Sequence, residues 1–167
     1  MEPDDLTDPV AMHCKYWACN YDGALMPIMI ALHRVYAAKT ASANAIFARH
    51  GLGSAEFDVL AALRRTPPPH ELTPSDVQRS VIITSGGLTK ILRQLEQRGL
   101  VSRSTDSSDR RSKPICLNPA ALTLIQHTMD ELVAHHSHWF RSALNAAEMT
   151  QFSGLLNKLL ATPPGAV

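Results

Sequence analysis

Between residues 90 and 113 the chain concentrates seven basic side chains, Lys90, Arg93, Arg98, Arg103, Arg110, Arg111 and Lys113, against three acidic ones, Glu96, Asp106 and Asp109. Elsewhere acids outnumber bases, since the whole chain carries only +1 at pH 7. A basic stripe on a slightly acidic background suits a surface that meets phosphate, because its cations displace the counterions condensed on a nucleic acid. An ordinary solvated face has the same composition, so the elements that carry the stripe must decide. Two other groups have the types and spacing for chemistry. His127, Glu131, His135 and His138 recur at four, four and three on one helical face, which is compatible with metal ligation. That face lies opposite an apolar stripe, which favours a solvated polar side, and no metal or other cofactor is expected. Cys14, Cys19 and Cys116 are three thiols at irregular spacing, read as reduced rather than as a disulfide framework. Cys14 and Cys19, with only Lys15 as a nearby activating cation, leave redox sensing open as an alternative. No nucleophile elbow, phosphate-binding Gly-rich loop, dinucleotide motif or zinc-protease motif is present, and no enzyme activity is expected.

The elements that must position the stripe belong to a chain of 167 residues, 45% hydrophobic and 19% charged. That length buries enough surface to fold without staples. The acidic start MEPDD is unlike a signal peptide, and the longest apolar run, residues 24–32, contains Pro27, so neither export nor a membrane span is expected and the cytoplasm is the expected compartment.

From Ala24 to His50 the apolar residues Leu25, Ile28, Met29, Leu32, Val35, Tyr36, Ile46 and Phe47 recur mostly at three and four, predicting a long helix closed by Gly51. Ser54 can cap a second helix carrying Phe57, Leu60, Ala61 and Leu63, which Pro67 to Pro69 terminate. Thr73-Pro74-Ser75-Asp76 places a hydroxyl at the N-cap, proline at N1 and an acid at N3, so a short helix starts there. Thr84-Ser85 starts another, with Leu88, Ile91, Leu92 and Leu95 inward and Gly99 ending it. Two capped helices joined by a short turn make a helix-turn-helix candidate. Leu100 to Arg103 and Ile115 to Leu117 read as short strands about a polar loop, with Pro114 suited to an edge. Asn118-Pro119 caps a helix whose stripe is Leu122, Ile125, Met129, Leu132, Val133, His136, Trp139 and Phe140. A last helix carries Phe152, Leu155, Leu156, Leu159 and Leu160.

This order predicts a mainly α chain with a small β-hairpin: a winged helix-turn-helix at 51–118, an N-terminal arm and helix at 1–50, and C-terminal helices at 119–167. The flanking helices carry more apolar surface than the central lobe can cover, so they are expected to pair with a second copy and form a dimerisation region. On the helix from Ser85, the residues Ser85, Thr89, Lys90 and Arg93 lie opposite the leucine stripe and would face a major groove. Gly86 and Gly87 remove side chains at its start, either to let backbone N–H groups approach a phosphate or to allow tight packing. Thr84 precedes them at the helix start, and on the first short helix Thr73 and Ser75 are further candidates for phosphate contact, although capping alone explains Thr73. In the loop between the two strands, Asp109 stands two residues before Arg111 and could orient its guanidinium, with Arg110 and Lys113 alongside. A winged helix that binds only protein is the alternative.

The segment Leu72 to Leu117, through LTPSDVQRSV, TSGGLTKILRQLEQRGLVSR and DSSDRRSKPICLNP, resembles the multiple antibiotic resistance regulator (MarR) family of bacterial transcription factors. The resemblance implies a homodimeric regulator on a pseudopalindromic double-stranded DNA operator, usually a repressor released by a small-molecule effector. Tyr16-Trp17, the run from Gly51 to Leu63 and Ser85-Gly86-Gly87 are similar to the urate-responsive branch. There, a Trp, an Asp and two Arg residues hold an anion between the dimerisation helices and the DNA-binding lobe. Trp17, Asp58 and Arg103 match three of these positions, and Ile91 stands where the branch carries the other Arg. The resemblance therefore implies an anionic aromatic or carboxylate effector, with one guanidinium fewer than the branch gives urate.

Overall fold

The computed structural model describes Met12, residues 24–103 and residues 113–162. Its elements are α1 (Leu25–Arg49), α2 (Ser54–Arg64), β1 (Glu71–Leu72), α3 (Pro74–Ser80), α4 (Ser85–Gln97), β2 (Val101–Arg103), β3 (Ile115–Leu117), α5 (Pro119–Ala143) and α6 (Ala146–Ala161). The chain divides into two compact units, Met1–Ala45 and Ile46–Val167. In the first, α1 leaves Leu25, Ile28, Met29, Val35 and Tyr36 exposed.

The second unit is built around α2. Phe57, Val59, Leu60, Ala61, Ala62 and Leu63 are all buried, so this helix is apolar nearly all round and occupies the centre. Phe57 stacks on Phe47, ring centroids 4.1 Å apart, at the start of the same unit. α1 ends as expected at Gly51: with φ +67°, it lets the Gly51 N–H reach the Ala48 carbonyl and the Leu52 N–H reach that of Phe47. The start of α2 differs from expectation. Gly53, not Ser54, is the N-cap, and the Glu56 carboxylate accepts from the Gly53 N–H at 2.9 Å. An acid at N3 closes the first turn without a hydroxyl at the cap, and Ser54 falls inside the helix.

α3 and α4 begin where the hydroxyls stand. Thr73 Oγ1 accepts from the Asp76 N–H and Thr84 Oγ1 from the Gly87 N–H, each at 3.2 Å. α4 ends in the same glycine-dependent way as α1, with Gly99 at φ +66°, Gly99 N–H to Glu96 and Leu100 N–H to Leu95.

The sheet has three antiparallel strands in the order β1-β3-β2, one more than the sequence predicts. Glu71 pairs with Cys116 and Leu72 with Ile115, while Val101, Ser102 and Arg103 pair with Leu117, Cys116 and Ile115. β3 is therefore central rather than an edge. Pro114 is tolerated because it precedes Ile115 and takes no rung of the ladder. Asn118 occupies the N-cap of α5 without capping it by its side chain. That carboxamide instead donates to the Gly99 carbonyl at 2.9 Å and accepts from the Ser102 hydroxyl at 2.7 Å, tying the end of α4 to β2.

α5 buries only Ala121, Ile125 and Thr128, and α6 buries nothing. No described helix is long and apolar enough to cross a membrane.

Candidate nucleic-acid interface

α4 is two-faced. Leu88, Leu92 and Leu95 lie at 5%, 3% and 0% exposure, whereas Ser85, Gly86, Thr89, Lys90 and Arg93 are exposed, as the 3.6-residue period requires. Ile91, inward by sequence, is half-buried. Thr84 is exposed, but its oxygen serves the Gly87 N–H. Thr89 donates to the Ser85 carbonyl at 3.1 Å.

The two glycines differ in their surroundings. A Cβ on Gly87 would lie 2.9 Å from Ile83 Cγ2 and 3.0 Å from Thr84 Oγ1, so tight packing explains it. A Cβ on Gly86 would meet nothing within 4 Å, so that side of the helix start is open to approach.

The C-terminal end of α4 is held by charge. Arg98 Nη1 donates to Glu56 Oε1 and Nη2 to the Gly51 carbonyl, both at 2.9 Å, joining this helix to α2. Arg103 Nε donates to Glu96 Oε1 at 2.7 Å, joining it to β2. Both pairs are partly exposed, so each contributes orientation more than stability. Of the basic stripe, then, Arg98 and Arg103 serve the scaffold, and Lys90 and Arg93 face outward. Lys113 is half-buried just before β3. Asp109, Arg110 and Arg111 lie outside the described residues.

Ser75, exposed on α3, shares with Ser85 and Thr89 a groove of about 390 Å³, also lined by Pro74, Gln78, Arg79 and Leu88. Gln78 Nε2 donates to the Ile83 carbonyl and braces the turn between the helices. Neither Gln78 nor Arg79 stands out in the sequence. The signal for Arg79 is its place three residues after the N3 acid Asp76, with which it pairs. Asp76 is held below the usual carboxylate range chiefly by the Thr73 hydroxyl, which donates to it at 2.6 Å; burial opposes this, and Arg79 adds to the lowering.

Of the residues matched to an effector site, Asp58 is exposed on α2, Arg103 is paired as described, and Trp17 lies outside the described residues, as do Cys14 and Cys19. Cys116 pairs with Glu71 at 3.4 Å, and burial followed by that carboxylate pushes its thiol up, which disfavours the reactive thiolate.

On the polar face of α5, Glu131 is engaged by the end of α1. Arg49 donates to Oε1, and His50 Nε2 sits 2.7 Å from Oε2. Arg49, and then His50, hold the Glu131 carboxyl below its ordinary range. A depressed carboxylate stabilises the fold above its unfolded value, and that contribution disappears as pH falls through the folded one. Glu131→Gln is expected to lower the thermal midpoint modestly at neutral pH and to converge with the wild type near about pH 3, so that the acid limb of a profile taken from about pH 6 to about pH 3 is flatter. An unaltered limb would show that the cluster does not govern it.

The MarR family model matches residues 50–112, which span the second helix, the helix-turn-helix and the segment after β2. The chain is 32% identical over 114 residues to the HTH-type transcriptional regulator PecS of Dickeya dadantii (strain 3937), covering 68% of each chain. Two solved structures share its fold. A mutant MarR from E. coli complexed with operator DNA has a TM-score of 0.67 at 23% identity, over 84% of this chain and 99% of that one. BpsR of Bordetella bronchiseptica, whose DNA binding is regulated by 6-hydroxynicotinic acid, has a TM-score of 0.65 at 24% identity, over 84% and 98%. With a helix-turn-helix beside a three-stranded sheet, and with these matches, the chain belongs to the MarR family of DNA-binding transcriptional regulators.

Proposed function

We propose that this regulator is a homodimeric repressor that a small anionic aromatic or carboxylate effector releases from a pseudopalindromic operator. The observation that carries the reading is the two-faced α4: apolar side chains lock it to the lobe while Ser85, Thr89, Lys90 and Arg93 remain free of the core. In a two-fold dimer two such helices enter successive major grooves roughly 34 Å apart. Arg111, flanked by Asp109, Arg110 and Lys113, reaches the adjacent minor groove. Leu155, Leu159 and Leu160, at 52%, 60% and 77% exposure on α6, supply the apolar surface for the partner copy.

A groove of about 350 Å³ between α2 and α5 supports the effector class. Ala61, Ile125 and Met129 give it an apolar floor and Arg64 and Arg65 two guanidinium groups. That combination suits a flat ring bearing a carboxylate. BpsR, with an aromatic acid as its regulator, has the same fold. Arg103 gives its Nε donor to Glu96, the carboxylate tying β2 to α4, so an anion that took that donor would loosen the tie and distinguish two arrangements of the wing.

Thermal-shift screening of salicylate, 6-hydroxynicotinate and urate tests this. A true effector at about 100 times its dissociation constant adds roughly 2.7 kcal/mol of stability, and the same compound should weaken operator binding by about 5- to 150-fold. Stabilisation without DNA release would sink the effector assignment. A DNA response that survives Arg103→Ala but disappears in Cys14→Ser or Cys19→Ser would move the sensing function to the thiols.

A further inference from the structure

The groove shared by α3 and α4 holds a cation to which no role has been given. Arg79 lines it beside Ser75 and Ser85, with its side chain 75% exposed. An arginine so exposed is ordinarily unrestrained, but here a chain of hydrogen bonds sets its position before any partner arrives. The Thr73 hydroxyl donates to the Asp76 carboxylate, and that carboxylate accepts from Arg79 Nη2. The Asp76 carboxyl is ionised at neutral pH, so this support is charged. A guanidinium has five N–H donors in a planar fork, so one pairing with Asp76 leaves others for a second anion. The opposite wall, α4, is kept at a fixed spacing by Gln78, which donates to the carbonyl of Ile83 in the intervening turn. The groove therefore holds one cation and the exposed hydroxyls of Ser75 and Ser85 around a preformed concavity.

In a helix-turn-helix the second helix takes the groove edges of the bases, and the helix before it crosses the backbone. A cation on that first helix is accordingly placed over phosphate rather than over a base edge. We infer that Arg79 is a DNA-contacting residue that seats one backbone phosphate between α3 and α4, with the Ser75 and Ser85 hydroxyls as the other donors. The inference rests on the DNA-binding reading and adds a contact that fixes the depth and register of α4 in its groove.

The test uses the full chain and two probes, a duplex selected from a random-sequence library on the wild-type protein and an unselected duplex of the same length. Affinity is measured by fluorescence anisotropy over a range of salt. A phosphate contact carries no sequence information, so Arg79→Ala should weaken both complexes by the same factor, roughly tenfold. It should also lower the magnitude of the slope of log affinity against log salt by about 0.9 for each protomer bound. Arg79→Lys, which keeps the charge, should keep the slope. If Arg79→Ala leaves the slope at the wild-type value, the seat does not exist, whether affinity changes or not. A loss confined to the selected duplex would make Arg79 a base contact and overturn the phosphate assignment. A wild-type protein whose affinity for both duplexes is independent of salt would overturn the DNA-binding reading itself, and the seat with it.

Discussion

Leu159→Glu is expected to leave the protein monomeric in size-exclusion chromatography with light scattering at micromolar concentration, and to lower operator affinity by about 10²- to 10⁴-fold. α6 buries no residue within its own chain, and Leu155 and Leu159 lie one helical turn apart at 52% and 60% exposure. Soluble proteins rarely leave such a stripe to water. Between two copies of the chain, position 159 would be drained of solvent, and an ionised carboxylate there has no partner to offset its lost hydration. The effect on DNA is larger than any lost contact, because two half-sites bound by one particle act at a high effective concentration that separate protomers lack. Since the side chain is exposed in the single chain, the monomer should keep its circular dichroism. A variant that elutes at the wild-type mass and binds the operator normally would remove α6 from the interface.

A pair of substitutions on α4 separates its two faces. Leu95, at 0% exposure, sits in the floor of the lobe, and Leu95→Ala should cost about 3 kcal/mol through lost burial and the cavity left behind. For a chain of this size that lowers the thermal midpoint by about 6 to 12 °C. Arg93, two residues earlier, points to water. Arg93→Ala should leave the midpoint nearly unchanged, as surface substitutions usually stay within about 0.5 kcal/mol. It should nevertheless weaken DNA binding by roughly 10- to 100-fold, the worth of a charge-assisted contact to phosphate or to a guanine edge. Calorimetry on both proteins, beside anisotropy on the selected duplex, reads the contrast. Equal thermal penalties would mean that the helix is rotated from the orientation described, and α4 would no longer be the recognition helix.

The features legible in the sequence are those decided within one or two turns of chain. Thr73 and Thr84 cap the helices they precede, and Gly51 and Gly99 end theirs in the left-handed region that glycine enters without strain. α4 turns its leucines inward because a period of 3.6 residues puts them on one face. What the sequence misses is long-range. β1 is two residues in a proline-rich stretch, too short for a periodicity, and exists because Glu71 and Leu72 find Cys116 and Ile115 more than forty residues away. Asn118 could cap a helix, yet its carboxamide is taken by Gly99 and Ser102, brought close by the hairpin. The ties of Arg98 to Glu56, Arg103 to Glu96 and Arg49 to Glu131 follow the same rule, since a charged side chain pairs with whichever opposite charge the fold places within reach. Gly87 is required by the position of Ile83. Caps, turns and amphipathic faces are settled by hydrogen bonds and periodicity along the chain, whereas pairing of strands and of charges is settled by which distant segments the buried apolar residues draw together.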